Sequence, residues 1–130
     1  MDALRTLKFL VVDDAPTMRR FVKQTLRELG YTTVTMAGDG DEAIALLKSR
    51  HFDCVLTDWN MPGKEGLEVL KYVRGELRLE KLPVVMLTAE ASRDHIVQAV
   101  KAGASGYVIK PFSARTIKEK IDKVLEAQVQ

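Results

Sequence analysis

The segment Phe9-Leu-Val-Val-Asp-Asp14 decides the fold class, because it joins an uninterrupted apolar run to a pair of aspartates. A run without alternation of apolar and polar residues is typical of a strand that is covered on both faces in a parallel sheet. Similar runs, rich in β-branched residues, recur at 33–36, 54–57, 84–87 and 107–109. We therefore predict five strands.

A helical pattern of apolar residues follows each run. The first helix is predicted to bury Met18, Phe21, Val22, Leu26 and Leu29. It ends at Gly30, since glycine is favoured at the left-handed position after a helix. The second begins at Asp39, which forms a capping-box pattern with Glu42, and carries Ile44 and Leu47. The apolar positions of the other helices are Leu67, Leu70 and Val73 in the third, Ile96 or Val97 with Val100 after Ser92 in the fourth, and Ile117, Ile121, Val124 and Leu125 after Ser113 in the fifth.

Strict alternation of strands and helices predicts an α/β domain with a doubly wound parallel sheet, because each crossover between parallel strands needs a helix. The 130 residues have the length of one domain, so we expect a single domain over 1–130. Ligands of such sheets bind beyond the carboxyl ends of the strands. The polar residues at those ends are therefore the candidate site residues.

The composition excludes several other classes of protein. Hydrophobic residues make up 46% of the chain, and the 20 basic and 18 acidic residues are scattered along it. We expect no nucleic-acid binding, which calls for a basic stripe, and no membrane span, because no apolar run is long enough. The start Met-Asp lacks a signal-peptide pattern, so a cytoplasmic location is expected. The single cysteine, Cys54, lies in an apolar run and is predicted to be a core residue.

Polar residues stand at four of the strand ends: Asp13 and Asp14, Asp58, Thr88 and Lys110. If strands one and three are neighbours, three carboxylates converge, and their mutual repulsion favours a bound cation. Mg2+ fits best, because it is bound by a few carboxylates and keeps waters that a phosphate can replace.

Each residue also has a simpler explanation. The aspartate pair before Pro16 can cap a helix, Asp58 can start the turn Asn60-Met-Pro-Gly63, and Thr88 can make a local hydrogen bond. Lys110 is what favours a site, because it places an amine at the rim that holds the acids and the hydroxyl.

Four segments together resemble the receiver domains of two-component response regulators, and within that family the stand-alone receivers of chemotaxis. The segments are Phe9-Leu-Val-Val-Asp-Asp14, Asp58-Trp-Asn-Met-Pro62, Thr88-Ala-Glu-Ala91 and Gly103-Ala-Ser-Gly-Tyr-Val-Ile-Lys-Pro-Phe112. The resemblance runs the length of the chain. It implies a flavodoxin-like fold with five helices and the strand order 2-1-3-4-5, which is taken from the family, and it implies no effector domain.

The resemblance also implies a role for each site residue. Asp58 corresponds to the phosphoryl acceptor. Asp14, Asp58 and the Asn60 carbonyl correspond to direct Mg2+ ligands, and Asp13 to a ligand that acts mainly through water. Lys110 corresponds to the cation that contacts the phosphoryl group.

Further positions correspond to the family's switch and its output. Thr88 is expected to move toward the phosphoryl group and Tyr107 to follow, while Asn60 and Glu90 tune the lifetime of the phosphorylated state. The partner-contacting positions on helix four, strand five and helix five correspond to Ile96, Tyr107 and Lys120.

The partners that the resemblance implies are a sensor histidine kinase of the chemotaxis type and the flagellar motor switch. A dedicated phosphatase is left open, and a monomer is expected. The protein is expected to catalyse only its own phosphorylation and dephosphorylation, so it is not an enzyme in the ordinary sense. A receiver that merely drains phosphate from the kinase stays open as an alternative.

Three other classes fit the residues less well. An aspartyl phosphohydrolase needs an acid two residues after its nucleophile, where this chain has Asn60. A flavin-binding module would cradle a phosphate at the loop that here holds Asp13 and Asp14, which would repel it. A DNA-binding regulator would need residues beyond the fifth helix.

Three further features of the sequence concern one loop, the tryptophan and the two histidines. The segment Gly63-Lys-Glu-Gly66 departs from the family pattern, since Glu65 stands where an aspartate is common. Trp59 is predicted to pack at the rim and to report on the site by fluorescence. His51 and His95 lack metal-ligand spacing, and we expect no function of them.

Overall fold

A computed structural model describes residues 6–129 and shows a parallel sheet between two layers of helices. The predicted domain bounds 1–130 extend past this range at residues 1–5 and 130. The strands are β1 (Lys8–Val12), β2 (Thr33–Ala37), β3 (Cys54–Thr57), β4 (Val84–Thr88) and β5 (Gly106–Ile109). The helices are α1 (Pro16–Glu28), α2 (Gly40–Ser49), α3 (Gly66–Lys71), which continues as a π-helical turn (Tyr72–Glu76), α4 (Arg93–Ala102) and α5 (Ala114–Val129).

The strand order is β2-β1-β3-β4-β5 and every pairing is parallel, which confirms the predicted doubly wound sheet. The register decides what meets at the rim. Val12 of β1 pairs with Thr57 of β3, so the next residues, Asp13 and Asp58, leave the sheet side by side.

A hydrophobic core lies on each face of the sheet, between the strands and the helices. Helices α2, α3 and α4 pack on the face that carries Leu10, Val12 and Val55. Helices α1 and α5 pack on the face that carries Phe9 and Val11. Because all of β3 and β4 is buried, the apolar runs without alternation are explained by a sheet covered on both sides.

The helix boundaries largely follow the predicted capping residues. Asp39 Oδ1 accepts a hydrogen bond from Glu42 N at 2.8 Å, as the capping-box pattern predicts. Glu42 Oε1, however, accepts from Gly38 N at 2.7 Å, one residue before the expected donor. Gly30 has a φ of 101° after α1, which explains glycine at that position.

The predicted apolar face of α4 is wrong in part. Ala99 is the buried residue, whereas Val100 is 64% exposed and Val97 is 38% exposed. Val100 lies about 100° around the helix from Ala99 and so turns toward solvent. The small side chain of Ala99 makes the contact with the core, Ile96 is half-buried, and Val97 and Val100 stay on the surface.

Phe21 also differs from the prediction, since it is 40% exposed and not part of the buried face of α1. Its ring centroid lies 6.2 Å from that of Phe112. Phe112 is half-buried and packs against the core on the α1 and α5 side of the sheet, and the exposed ring of Phe21 lies beside it.

Arg74, in the π-helical turn, has a structural role that the sequence pattern did not reveal. Its guanidinium donates to the carbonyl oxygens of Leu79, Leu82 and Gly103 at 2.6, 2.7 and 2.9 Å. It also donates to Ser105 Oγ at 3.2 Å. The segments that lead into β4 and β5 are therefore tied together at the amino end of the sheet.

Cys54 lies in the core as predicted, with no exposed surface. Burial raises the pKa of its thiol to about 12. None of the helices in 6–129 has the length and apolar content needed to cross a membrane.

Candidate functional site

Lys110 joins the carboxyl ends of three strands. Its Nζ donates to Asp13 Oδ2 at 2.9 Å and to Asp58 Oδ2 at 3.0 Å. Asp13 follows β1, Asp58 follows β3 and Lys110 follows β5. The backbone N of Lys110 donates to Thr88 O at 2.8 Å, which extends the β4–β5 pairing and directs the lysine over the rim.

The charge of Lys110 is held in place by its two partners. Burial alone would lower the pKa of its ammonium, but the hydrogen bonds and negative charges of Asp13 and Asp58 outweigh burial, and the pKa is raised. Asp13 and Asp58 are buried, and the ammonium forms an ion pair with each of them. Lys110 is therefore protonated at neutral pH.

Asp14 completes an acidic cluster with Asp13 and Asp58, in which one ligand oxygen of each lies within 4.8 Å of the others. Asp14 is exposed, so the cluster opens to solvent on its side. The second oxygens of the buried pair are used by the backbone: Asp13 Oδ1 accepts from Ala15 N at 2.9 Å and Asp58 Oδ1 from Trp59 N at 2.6 Å. Three carboxylates at this spacing fit a hard divalent cation.

The backbone around Asp58 is closely packed. Asp58 N donates to Val12 O and Gly66 N donates to Trp59 O, both at 2.9 Å. A Cβ atom on Gly66 would lie 1.9 Å from Asp58 O, so only glycine fits there. The start of α3 thus presses directly on the peptide of Asp58, a contact that the sequence did not predict.

Glu65, the departure in this loop, lies immediately before α3. Its backbone N donates to Glu68 Oε1 at 3.0 Å. The residue is exposed. Its position explains how a glutamate is accommodated there, since it belongs to the cap of α3.

Glu90 connects the residues of the predicted switch. Its backbone N donates to Thr88 Oγ1 at 3.2 Å, and its carbonyl oxygen accepts from Tyr107 OH at 2.5 Å. Its side-chain Oε1 accepts from Asn60 Nδ2. Burial, with the negative charges of Glu90 and Asp58, raises the pKa of the Tyr107 hydroxyl, so the tyrosine remains a hydrogen-bond donor at neutral pH.

His95, to which the sequence assigned no role, also meets this group. Its Nε2 lies 3.4 Å from Glu90 Oε2, and its ring packs edge-on against Trp59 with centroids 4.7 Å apart. His51 lies on the surface beside Asp53, 3.0 Å away. Spacing rules for metal ligands could not reveal the His95 contact, because it depends on the path of the loop that places the first turn of α4 beside Trp59.

The predicted partner-contacting residues lie on three elements. Ile96 on α4, Tyr107 on β5 and Lys120 on α5 are all half-buried. The stem of Lys120 covers Gly106, where an added Cβ would lie 2.8 Å from Lys120 Cδ. Of the three residues, Tyr107 is the one that reaches the site, through Glu90.

Residues 9–122 match the model of the response regulator receiver domain, and the chain therefore belongs to that family. It is 52% identical over 120 residues to the chemotaxis protein CheY of Pseudomonas aeruginosa, which covers 92% of this chain and 97% of the relative. It is 51% identical over 122 residues to the chemotaxis protein CheY-3 of Vibrio cholerae serotype O1, with 94% of each chain covered.

Solved structures show the same likeness. The fold superposes on a CheY-like receiver domain from Methanospirillum hungatei with a TM-score of 0.87, 34% identity and coverage of 95% of this chain and 97% of the other. For the chemotaxis regulator CheY4 of Vibrio cholerae the TM-score is 0.84, the identity 36% and the coverage 91% and 98%. Receiver domains of this type are signalling proteins and bind Mg2+ at an acidic pocket, and this chain has a cluster of three carboxylates, Asp13, Asp14 and Asp58, at the corresponding rim of the sheet.

Proposed function

We propose that this protein is a phosphorylation-activated response regulator of chemotaxis that accepts a phosphoryl group on Asp58 from a sensor histidine kinase. The observation that carries the proposal is the pair of hydrogen bonds from Lys110 Nζ to Asp13 Oδ2 and Asp58 Oδ2. These two carboxylates form an acidic cluster with Asp14. The arrangement combines a buried carboxylate nucleophile, a fixed cation and an acidic cluster that can hold a divalent ion.

In the transfer, a carboxylate oxygen of Asp58 forms a bond to phosphorus while the phosphorus–nitrogen bond of the kinase phosphohistidine breaks. The imidazole nitrogen keeps the electron pair of that bond and takes a proton from solvent. Phosphoryl transfer depends mainly on positioning and charge neutralisation. Mg2+, when bound by Asp13, Asp14, Asp58 and the Asn60 carbonyl, supplies part of that positive charge.

Lys110 supplies the rest of the positive charge. Its ammonium holds Asp58 in place before the transfer. It can donate to a phosphoryl oxygen afterwards, since the phosphoryl group would lie at the same rim as the Asp58 carboxylate. Because Thr88 Oγ1 already accepts from Glu90 N, its hydroxyl hydrogen is directed to another acceptor. A new phosphoryl oxygen is the acceptor that we assign to it.

The output follows from the same contacts. A phosphoryl group adds about two negative charges and three acceptor oxygens. A shift of Thr88 toward it changes the bond to Glu90 N, and Glu90 O holds the hydroxyl of Tyr107. Tyr107, with Ile96 and Lys120, then presents a changed surface to the partner, which we propose is the flagellar motor switch.

The test of the input is phosphotransfer from a chemotaxis histidine kinase. Wild type is expected to gain label only with Mg2+, and Asp58→Asn is expected to gain none. Asp122→Asn is the matched control, because that carboxylate pairs with Lys118 on the surface, and it is expected to label normally. Equal labelling of Asp58→Asn and wild type would refute the proposal.

The test of the output is the affinity of both forms for a motor-switch peptide. Tighter binding of the phosphorylated form supports the motor as target. Equal affinity would instead favour a receiver that drains phosphate from the kinase.

A further inference from the structure

Both carboxylate oxygens of Glu90 have partners from other segments. Oε1 accepts from Asn60 Nδ2, which lies two residues after the acceptor Asp58. Oε2 faces His95 Nε2 at 3.4 Å. Glu90 is thus held between a residue at the mouth of the site and a residue in the first turn of α4.

His95 is itself fixed at two points. Its ring Nδ1 lies 2.5 Å from Oγ of Ser92, the residue that caps α4. Its ring also packs edge-on against Trp59 at an interplanar angle of 82°. When the serine hydroxyl donates to Nδ1, the neutral ring carries its hydrogen on Nε2, so the hydrogen lies on the side of Glu90.

We propose that His95 is a positioning residue that holds Glu90 against Asn60 and thereby prolongs the phosphorylated state of Asp58. The proposal rests on the proposed phosphorylation of Asp58. His95 touches neither the acceptor nor the phosphoryl group, and it acts through Glu90 alone.

The chemistry that His95 influences is hydrolysis of the acyl phosphate. A water oxygen forms a bond to phosphorus, and the bond between phosphorus and the Asp58 oxygen breaks. The carboxylate keeps the electron pair, and the proton of the water passes to solvent as inorganic phosphate leaves. While Asn60 and Glu90 are hydrogen-bonded to each other, their side chains narrow the path by which water reaches the phosphorus. Their polar groups are also not free to bind that water. Release of Glu90 should therefore speed hydrolysis.

The experiment compares wild type with His95→Ala after each has been labelled on Asp58 from the kinase and freed of donor. Loss of one polar contact should make the label disappear about three to ten times faster. The labelling rate should stay within about twofold, because the groups that contact the phosphoryl group are unchanged. His95→Gln, which keeps a side-chain donor, should restore most of the lifetime, and His51→Ala should behave as wild type.

A double-mutant cycle shows whether His95 acts through Glu90. In a Glu90→Ala background, His95→Ala should have no further effect on the lifetime. A full effect in that background overturns the proposal, and so does a wild-type lifetime in His95→Ala. Both outcomes leave the proposed function intact, which fails only if wild-type Asp58 takes no label.

Discussion

Lys110 and Asp58 are 52 residues apart in the chain and are joined by a hydrogen bond of 3.0 Å between Nζ and Oδ2. The same ammonium bonds Asp13 at 2.9 Å. Removal of the lysine leaves two buried carboxylates without their compensating charge. The bond therefore contributes to stability as well as to the proposed phosphotransfer.

Lys110→Ala should lower the free energy of unfolding by about 3 kcal/mol, because a largely buried ion pair loses one partner. Urea unfolding measures this change. Addition of Mg2+ should restore part of it, since a cation bound by the carboxylates offsets their repulsion. Lys118→Ala is the matched control: its pair with Asp122 lies at the surface and should contribute nothing measurable. Equal stability of Lys110→Ala and wild type without Mg2+ would contradict the prediction.

The contribution of Lys110 should also depend on pH. Its pKa is raised in the folded protein, so its stabilisation is fully present below the pKa of the unfolded chain and is lost as pH rises through the folded pKa. The difference in unfolding free energy between wild type and Lys110→Ala should be constant from about pH 6 to pH 9 and shrink above about pH 10.4. A difference that already shrinks between pH 7 and 9 would show that another group is responsible.

Gly66→Ala should displace the backbone at Asp58, because a Cβ at this position would lie 1.9 Å from Asp58 O. We expect a loss of stability of about 3 kcal/mol, in the range of a severe steric clash in a core, together with at least tenfold slower phosphorylation. Gly75→Ala is the control, since a Cβ there meets no atom within 4 Å. If both variants label alike, the close contact does not position the acceptor.

Trp59 should report on the occupied site. It is 4% exposed, its backbone N donates to Asp58 Oδ1 and its ring contacts His95. Mg2+ and then a small acyl phosphate should each change its fluorescence, and Asp58→Asn should abolish both changes while Asp122→Asn keeps them. Unchanged emission of the wild-type protein would count against the metal site.

The central strands could be predicted from the sequence because burial on both faces leaves a direct trace, an apolar run such as Phe9-Leu-Val-Val12. The polar residues that follow them could be assembled for the same reason, since parallel strands end at one edge. The ends of the strands place Asp13, Asp58 and Lys110 at one edge without any knowledge of the loops, but the strand order that makes Asp13 and Asp58 neighbours came from the family resemblance.

Contacts that depend on loop geometry could not be predicted in this way. The meeting of His95 with Glu90 and Trp59 requires the path of the β4–α4 loop, which leaves no periodic pattern in the sequence. The rotation of α4 was also ambiguous, because Ile96, Val97, Ala99 and Val100 offer more than one apolar face. In the structure the buried residue is Ala99, the smallest of the four.

The hydrogen bonds of Arg74 have a consequence for how a signal can travel. They fasten the loops before β4 and β5, whereas Thr88 and Lys110 lie where these strands finish. One end of the strand pair is anchored, and the other carries the groups that we propose sense the phosphoryl group. We therefore expect the amino ends of β4 and β5, beside Arg74, to stay in place when the site changes. Movement should be greatest in the loops beyond Thr88 and Ile109.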